Sequence, residues 1–262
     1  MGQIRNRKSY GWAFHLYDVI SVDRYKEDKD ISFAIYDEDK GQIALIAMLH
    51  IEYKESGNLL HSRYGIVPRS GLAHKEQKKL CNAYKEYIDS LCVKYNIKRL
   101  LAGTVPIAEA LQPQKKELVN PLMEYGYCPA ATTPTYTWVC DINGDEEELI
   151  KKCEQTTRQA LRKLEQSNKY EIIEADNNPE DYDDYVRLHI ETYTRTGLAD
   201  EILSDEYQRN IFNNMIPQGI CRVFFLKEKE INENIASVAI LVYKNTAYYW
   251  WGSISRRKRS WN

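Results

Sequence analysis

The chain has 262 residues, enough for one large domain or two of roughly 130. It is 43% apolar and 28% charged, the balance of a globular protein, and its net charge of −2 excludes a global field that would draw it to nucleic acid or a membrane. The basic N-terminus MGQIRNRKSYGW has neither the apolar segment of a signal peptide nor the Ser or Thr that myristoylation wants at its sixth position. No apolar run approaches the ~20 residues that span a bilayer. The six cysteines show no CxxC and no zinc spacing. They fit a reduced, cytoplasmic protein with no metal site.

Residues 1–135 read as one α/β unit. Ile31–Tyr36, Gln42–Tyr53 and Leu59–Tyr64 have strand character, with a charged hairpin turn at Asp37–Lys40. The segment GIVPRSGLAHKE reads as a loop leading into a helix from about Lys75 to Tyr95. Leu80, Tyr84, Tyr87, Ile88, Leu91 and Cys92 form the buried stripe of that helix. A short strand at Arg99–Gly103, a helical stretch over Leu111–Tyr125 apart from Pro113 and Pro121, and an extended segment from Ala130 to Ile142 complete the unit.

Residues 136–262 form the second unit. Thr137–Ile142 reads as a strand, and the acidic Asp145–Glu148 precedes a helix from about Glu146 to Gln166. Leu149, Cys153, Ala160, Leu161 and Leu164 recur at helical spacing. At about 100° per residue, Lys151, Arg158 and Arg162 gather roughly opposite Leu149. A second helix, about Pro179 to Thr196, carries Tyr182, Tyr185, Val186, His189 and Tyr193, with Gly197 at its C-cap and Arg195 in its last turn. Three extended runs follow: Ile220–Lys227, Ile235–Lys244 and, after a turn at Asn245–Thr246, Ala247–Gly252 with Tyr248, Tyr249, Trp250 and Trp251.

In this order, TTRQALRKLEQSNKYEI from Thr156, HIETYTRTGL from His189 and ASVAILVYKNTAYYWWGSIS from Ala236 resemble the Fem-type peptidoglycan-bridge aminoacyltransferases and their acetyltransferase relatives in the GNAT superfamily. The resemblance implies a mixed α/β (α+β) fold of two tandem GNAT-like units, the second lacking its C-terminal half. It implies transfer of an acyl or aminoacyl group to an amine acceptor, a cell-wall precursor or another small molecule. Acyl-CoA and aminoacyl-tRNA are both candidate co-substrates, tRNA is a candidate partner, and no tightly bound cofactor is expected.

Arg195, in YTRTG, matches an arginine that contacts acceptor phosphate in that family; the alternative is a cation completing a helix C-terminus. Arg158 and Arg162 are either phosphate contacts or a solvated basic face. Tyr193, Tyr249 and Trp251 are candidate groove residues, and Arg63, Tyr64 and Arg69 would line an acceptor groove in the first unit. There the loop RYGIVPRSGL departs from a phosphate turn, because Gly65 and Gly71 are far apart and Pro68 removes an amide donor. No catalytic residue is assigned: the five histidines have no paired nucleophile, and His189 reads as a core residue.

After YYWWGSIS the sequence gives RRKRSWN, where the family continues into the donor turn and a lysine near the reacting centre. The expectation is therefore a chain without turnover, self-associating through the Tyr248–Trp251 hairpin. The rival expectation is a catalytically inactive remnant or binding module that keeps a phosphorylated-ligand or peptide site.

Overall fold

The structure, a computed structural model, describes residues 13, 16–20, 22–62, 66–69, 71–102, 128, 140–244 and 246–255. The chain divides into two compact units: Met1–Thr137 with Leu203–Tyr207, and Trp138–Ile202 with Gln208–Asn262.

The first unit opens with a short helix, α1 (Tyr17–Ile20), and builds two sheets. Strands β1 (Asp28–Asp30), β4 (His50–Glu52), β5 (Asn58–Ser62) and β7 (Ile97–Ala102) form one, in that order. All its pairs are antiparallel except β5 with β7. Strands β2 (Phe33–Asp37), β3 (Gln42–Ala47) and β6 (Ile66–Pro68) form the other.

The run Gln42–Tyr53, expected as one strand, is thus two strands in two sheets. The Ser32 hydroxyl holds the break: it accepts from the Leu49 amide at 3.0 Å and donates to the Leu49 carbonyl at 3.3 Å. Ile66–Pro68, expected as loop, is an edge strand on β3, a place that tolerates a proline.

Helix α2 (His74–Lys94) covers this core. The Glu76 carboxylate accepts the Ala73 amide at 3.0 Å and so satisfies one orphan donor of its first turn. Leu80, Cys81, Tyr84, Ile88 and Leu91 are its buried residues, packed with Leu45, Leu49, Ile51 and Leu60. Tyr87, placed on the stripe by periodicity, is 45% exposed, and its ring meets Phe33 edge-on at 4.5 Å.

In the second unit the expected helix Glu146–Gln166 is two helices, α3 (Glu146–Lys152) and α4 (Gln155–Ser167), because Cys153 and Glu154 are extended. The expected strand Thr137–Ile142 is irregular over Cys140–Ile142, and its first three residues lie outside the described ones. Then come β8 (Tyr170–Glu174), α5 (Pro179–Thr196), a 3-10 turn at Ala199–Glu201 and α6 (Asp205–Asn210), whose residues through Tyr207 count with the first unit and which runs on as a π-helix over Ile211–Met215. Strands β9 (Cys221–Glu228), β10 (Glu233–Tyr243) and β11 (Thr246–Ile254) complete an antiparallel sheet in the order β11-β10-β9-β8. Phe225, Val223 and Leu241 are buried in it. So is Cys221, whose thiol burial pushes up to about 12, so it behaves as a small hydrophobe.

The boundaries of α5 follow from its cap residues. The Asn178 side chain accepts the Asp181 amide at 2.8 Å, Pro179 opens the first turn, and Gly197 closes the helix at φ 76°. Asn178→Ala should lower the stability of this unit by about 1 kcal/mol in urea denaturation, whereas Asn178→Ser, which keeps a capping oxygen, should lower it less.

Candidate functional site

The second unit joins a helix tightly to an irregular strand. Helix α5 is tied to the edge strand β11 by Thr192, whose hydroxyl accepts the Ile254 amide at 2.8 Å and donates to its carbonyl at 3.1 Å. The Ser255 hydroxyl lies 3.0 Å from the Glu191 carboxylate. On β10, the Asn234 side-chain amide donates to Asp184 at 2.8 Å, and the Asn234 backbone carbonyl accepts from Arg187 at 2.9 Å. Arg187 also pairs with Asp184 at 2.6 Å. These bonds fix how α5 crosses the sheet.

Along the sheet-facing side of α5, Tyr185, His189 and Tyr193 follow at intervals of four residues. His189 stacks on Tyr185 at 6.1 Å, meets Tyr193 at 4.5 Å and reaches Trp251 edge-on at 6.3 Å. Trp251 in turn stacks on Trp250 at 3.8 Å. An aromatic seam therefore runs from the helix into the strand.

It meets the strand at an irregularity. Ala239 pairs with Trp251, whereas the next residue of β10, Ile240, pairs with Tyr249. Trp250 is the residue in excess, a β-bulge that disrupts the ladder locally. Bulges concentrate next to reaction centres because they re-aim backbone and side chains.

His189 is fully buried, as expected of a core residue, and burial pushes its imidazole from 6.5 down to about 4. The folded unit therefore keeps this ring neutral while the unfolded chain takes up the proton first. Its contribution is complete above the unfolded value of 6.5 and is lost as pH falls from there through about 4. The full loss approaches roughly 3 kcal/mol. Urea midpoints of wild type and His189→Phe, followed from neutral to acidic pH, should diverge, with the variant less acid-sensitive. Parallel curves would show that this ring does not contribute.

Of the residues proposed from sequence, the structure brings together Tyr193 and Trp251, both against His189. Arg195 stands in the last turn of α5 with its Nε buried and no hydrogen-bond partner there. Arg158 donates to the carbonyls of Cys153 at 2.7 Å and Lys151 at 3.1 Å, so it closes the C-terminus of α3. Arg162 is exposed on α4. Tyr249 is 74% exposed, and its hydroxyl lies over Gly252, where a Cβ would meet it.

In the first unit Arg69 pairs with Asp37 at 3.1 Å, while Arg63 and Tyr64 lie outside the described residues. The bulge and the bonds of Glu191 and Thr192 were not foreseen. The run YYWW was the one visible sign of the bulge, and it does not disclose an extra residue.

Among the described residues no group of three or more His, Cys, Asp or Glu could hold a metal ion, and no helix is long and apolar enough to cross a membrane. Residues 151–261 match the family model described as an acetyltransferase (GNAT) domain. The crystal structure of FemX is similar in fold, with a TM-score of 0.55 over 88% of this chain and 72% of that one, at 14% sequence identity. No curated protein matches the sequence. The mixed α/β chain is thus similar to GNAT-type acetyltransferases over residues 151–261 and resembles FemX in fold.

Proposed function

We propose that the second unit transfers an acyl group from acyl-CoA to an amine, with the bulged segment of β11 as the place where the thioester carbonyl is held. The observation that carries this is the two-for-one pairing at Trp250, within the residues matched by the acetyltransferase domain. A bulge re-aims backbone N–H groups, and one aimed at the thioester carbonyl would stabilise the oxyanion that develops when an amine attacks, at no cost of reorganisation. The attacking nitrogen forms the new amide bond, the C–S bond breaks, and the thiol leaves with a proton.

The chain's own residues position these groups. Thr192 and Glu191 hold α5 against β11, and the Tyr193–His189–Trp251 seam keeps the strand in place. His189, buried and neutral, packs the seam and is not the proton acceptor. A buried Nε at Arg195 suits an anionic group of a substrate, the role the family resemblance gives that position. A cell-wall precursor is one such acceptor.

The test is thiol release from acetyl-CoA by the purified chain with a panel of primary amines. Amine-dependent release that is insensitive to moderate salt supports the proposal. Stabilisation by ligands without any release favours the binding module instead. Aminoacyl transfer from charged tRNA to the amine, releasing deacylated tRNA and no thiol and weakening steeply with salt, replaces the CoA donor with an aminoacyl one.

A further inference from the structure

Strands β1, β4 and β5 place a row of ionisable side chains on one face of their sheet. Asp28 lies opposite Glu52, Asp30 opposite His50, and His50 opposite His61. Directly opposed residues share a face, and alternation sends Ile51 and Leu60 to the other side, into the core under α2.

The two imidazoles are stacked, with centroids 5.0 Å apart and 7° between their planes. Each is set against a carboxylate on the neighbouring strand. His61 Nε2 lies 2.7 Å from Glu52 Oε2, and His50 Nε2 lies 3.6 Å from Asp28 Oδ2. Both rings are mostly buried, and Asp28 is only 7% exposed. Glu52 also pairs with Lys54 at 2.7 Å. Burial pushes the Glu52 carboxyl up, but the bonds from Lys54 and His61 outweigh it and hold it below its ordinary value of 4.5. It therefore stays ionised throughout the range in which imidazoles titrate.

The segment before β1 lies against the same face. Val22, Asp23, Arg24, Asp28, Asp30 and His50 line a cavity of about 40 Å³. Asp23 ties the segment to the sheet by accepting the Asp30 amide at 2.7 Å. Burial raises the Asp30 carboxyl against the bonds from Ser32. On β7, register puts Arg99 on this face beside Leu59. The histidines are thus faced by the carboxylates of Asp23, Asp28, Asp30 and Glu52 and by the cations Arg24, Lys54 and Arg99.

Protonating the rings turns each carboxylate contact into an ion pair and also sets two cations side by side. The attractions act over 2.7 and 3.6 Å and the repulsion over 5.0 Å, so at one common dielectric the attractions win. We propose that the His50–His61 pair is an acid-closed latch of the first unit. As pH falls through the imidazole range, His50 binds β4 to β1, His61 binds β5 to β4, and the Val22–Arg24 segment is held more firmly over them. The fold then keeps these protons more tightly than the unfolded chain does. The gain is present in full below the unfolded imidazole value of about 6.5 and is lost as pH rises above it. This is opposite in sign to the effect of His189 in the second unit.

The test is amide hydrogen exchange of the full chain, expressed as protection factors so that the intrinsic pH dependence drops out. Between about pH 7.5 and about pH 5.5, protection of the Asp30 amide and of the β4 and β5 amides should rise about tenfold. His50→Gln with His61→Gln should remove the rise, and Glu52→Gln alone should reduce it to about threefold. His74→Gln, at the exposed start of α2, should leave it intact. Glutamine keeps a polar head at these positions, so the variants are expected to fold. Should the double variant be unstable, Glu52→Gln decides the matter by itself.

Protection that stays flat or falls in the wild type on acidification would overturn the proposal. So would a rise of equal size in the double variant, or an undiminished rise in Glu52→Gln.

Discussion

Replacing Leu91 with aspartate should unfold the first unit under conditions where the wild type is stable. Leu91 is 5% exposed on the last turns of α2 and packs in the same core as Ile88, Tyr84, Leu60 and Ile51. Aspartate there loses the buried methyl groups and leaves a carboxylate among apolar side chains. A buried charge without a partner costs about 3–5 kcal/mol, against a total margin of roughly 5–15 kcal/mol for a domain. Val93, two residues on, supplies the control, because it is 85% exposed. Val93→Asp should change the urea midpoint by no more than about 0.5 kcal/mol equivalent. Similar midpoints for the two variants would mean that α2 does not present its Leu80–Leu91 side to the core.

The second large effect concerns the bulge. Deleting Trp250 makes the β10–β11 pairing one-to-one, because Trp251 and Tyr249 would then oppose Ala239 and Ile240 directly. If the displaced backbone group stabilises the transition state, kcat/KM for amine-dependent thiol release should fall about 10²–10³-fold, the range seen when one oxyanion donor is removed. The deletion also removes a side chain that is only 9% exposed, so stability must be separated from chemistry. Trp250→Phe keeps the extra residue and most of the ring, and should retain activity within a few-fold while losing stability. Equal activity in the deletion and in Trp250→Phe would remove the bulge from the mechanism.

The sequence showed most where a residue type has one dominant use. Gly197 marked the C-terminal end of α5 and does in the structure what its chemistry suggests, whereas the Asn178 cap at the other end was not read. Alternation and β-branching marked β9, β10 and β11 to within two residues. Where tertiary contacts decide, the sequence was silent. The break between α3 and α4 falls at Cys153 and Glu154, with no glycine or proline, and is held by Arg158 donating to the carbonyls of Lys151 and Cys153.

Strand β8 was missed because it is an edge strand with Ile172 64% exposed, and a cross-strand pair between Glu174 and Arg222 at 2.6 Å supports it instead of a hydrophobic pattern. The split of Gln42–Tyr53 depends on Ser32, which is far from it in sequence. At the candidate site, Tyr193 and Trp251 were legible as aromatics on the right elements. The bulge was not, since register is a property of two strands and cannot be read from either alone.

The measurement that tests the central claim most directly is the backbone amide resonance of Trp250 and Trp251 during titration with acetyl-CoA and, separately, with CoA lacking the acyl group. If the bulge holds the thioester carbonyl, one of these amide protons should move downfield with acetyl-CoA and stay in place with free CoA. A response confined to other residues, or the same response to both ligands, would contradict the assignment of β11 as the acyl-transfer site.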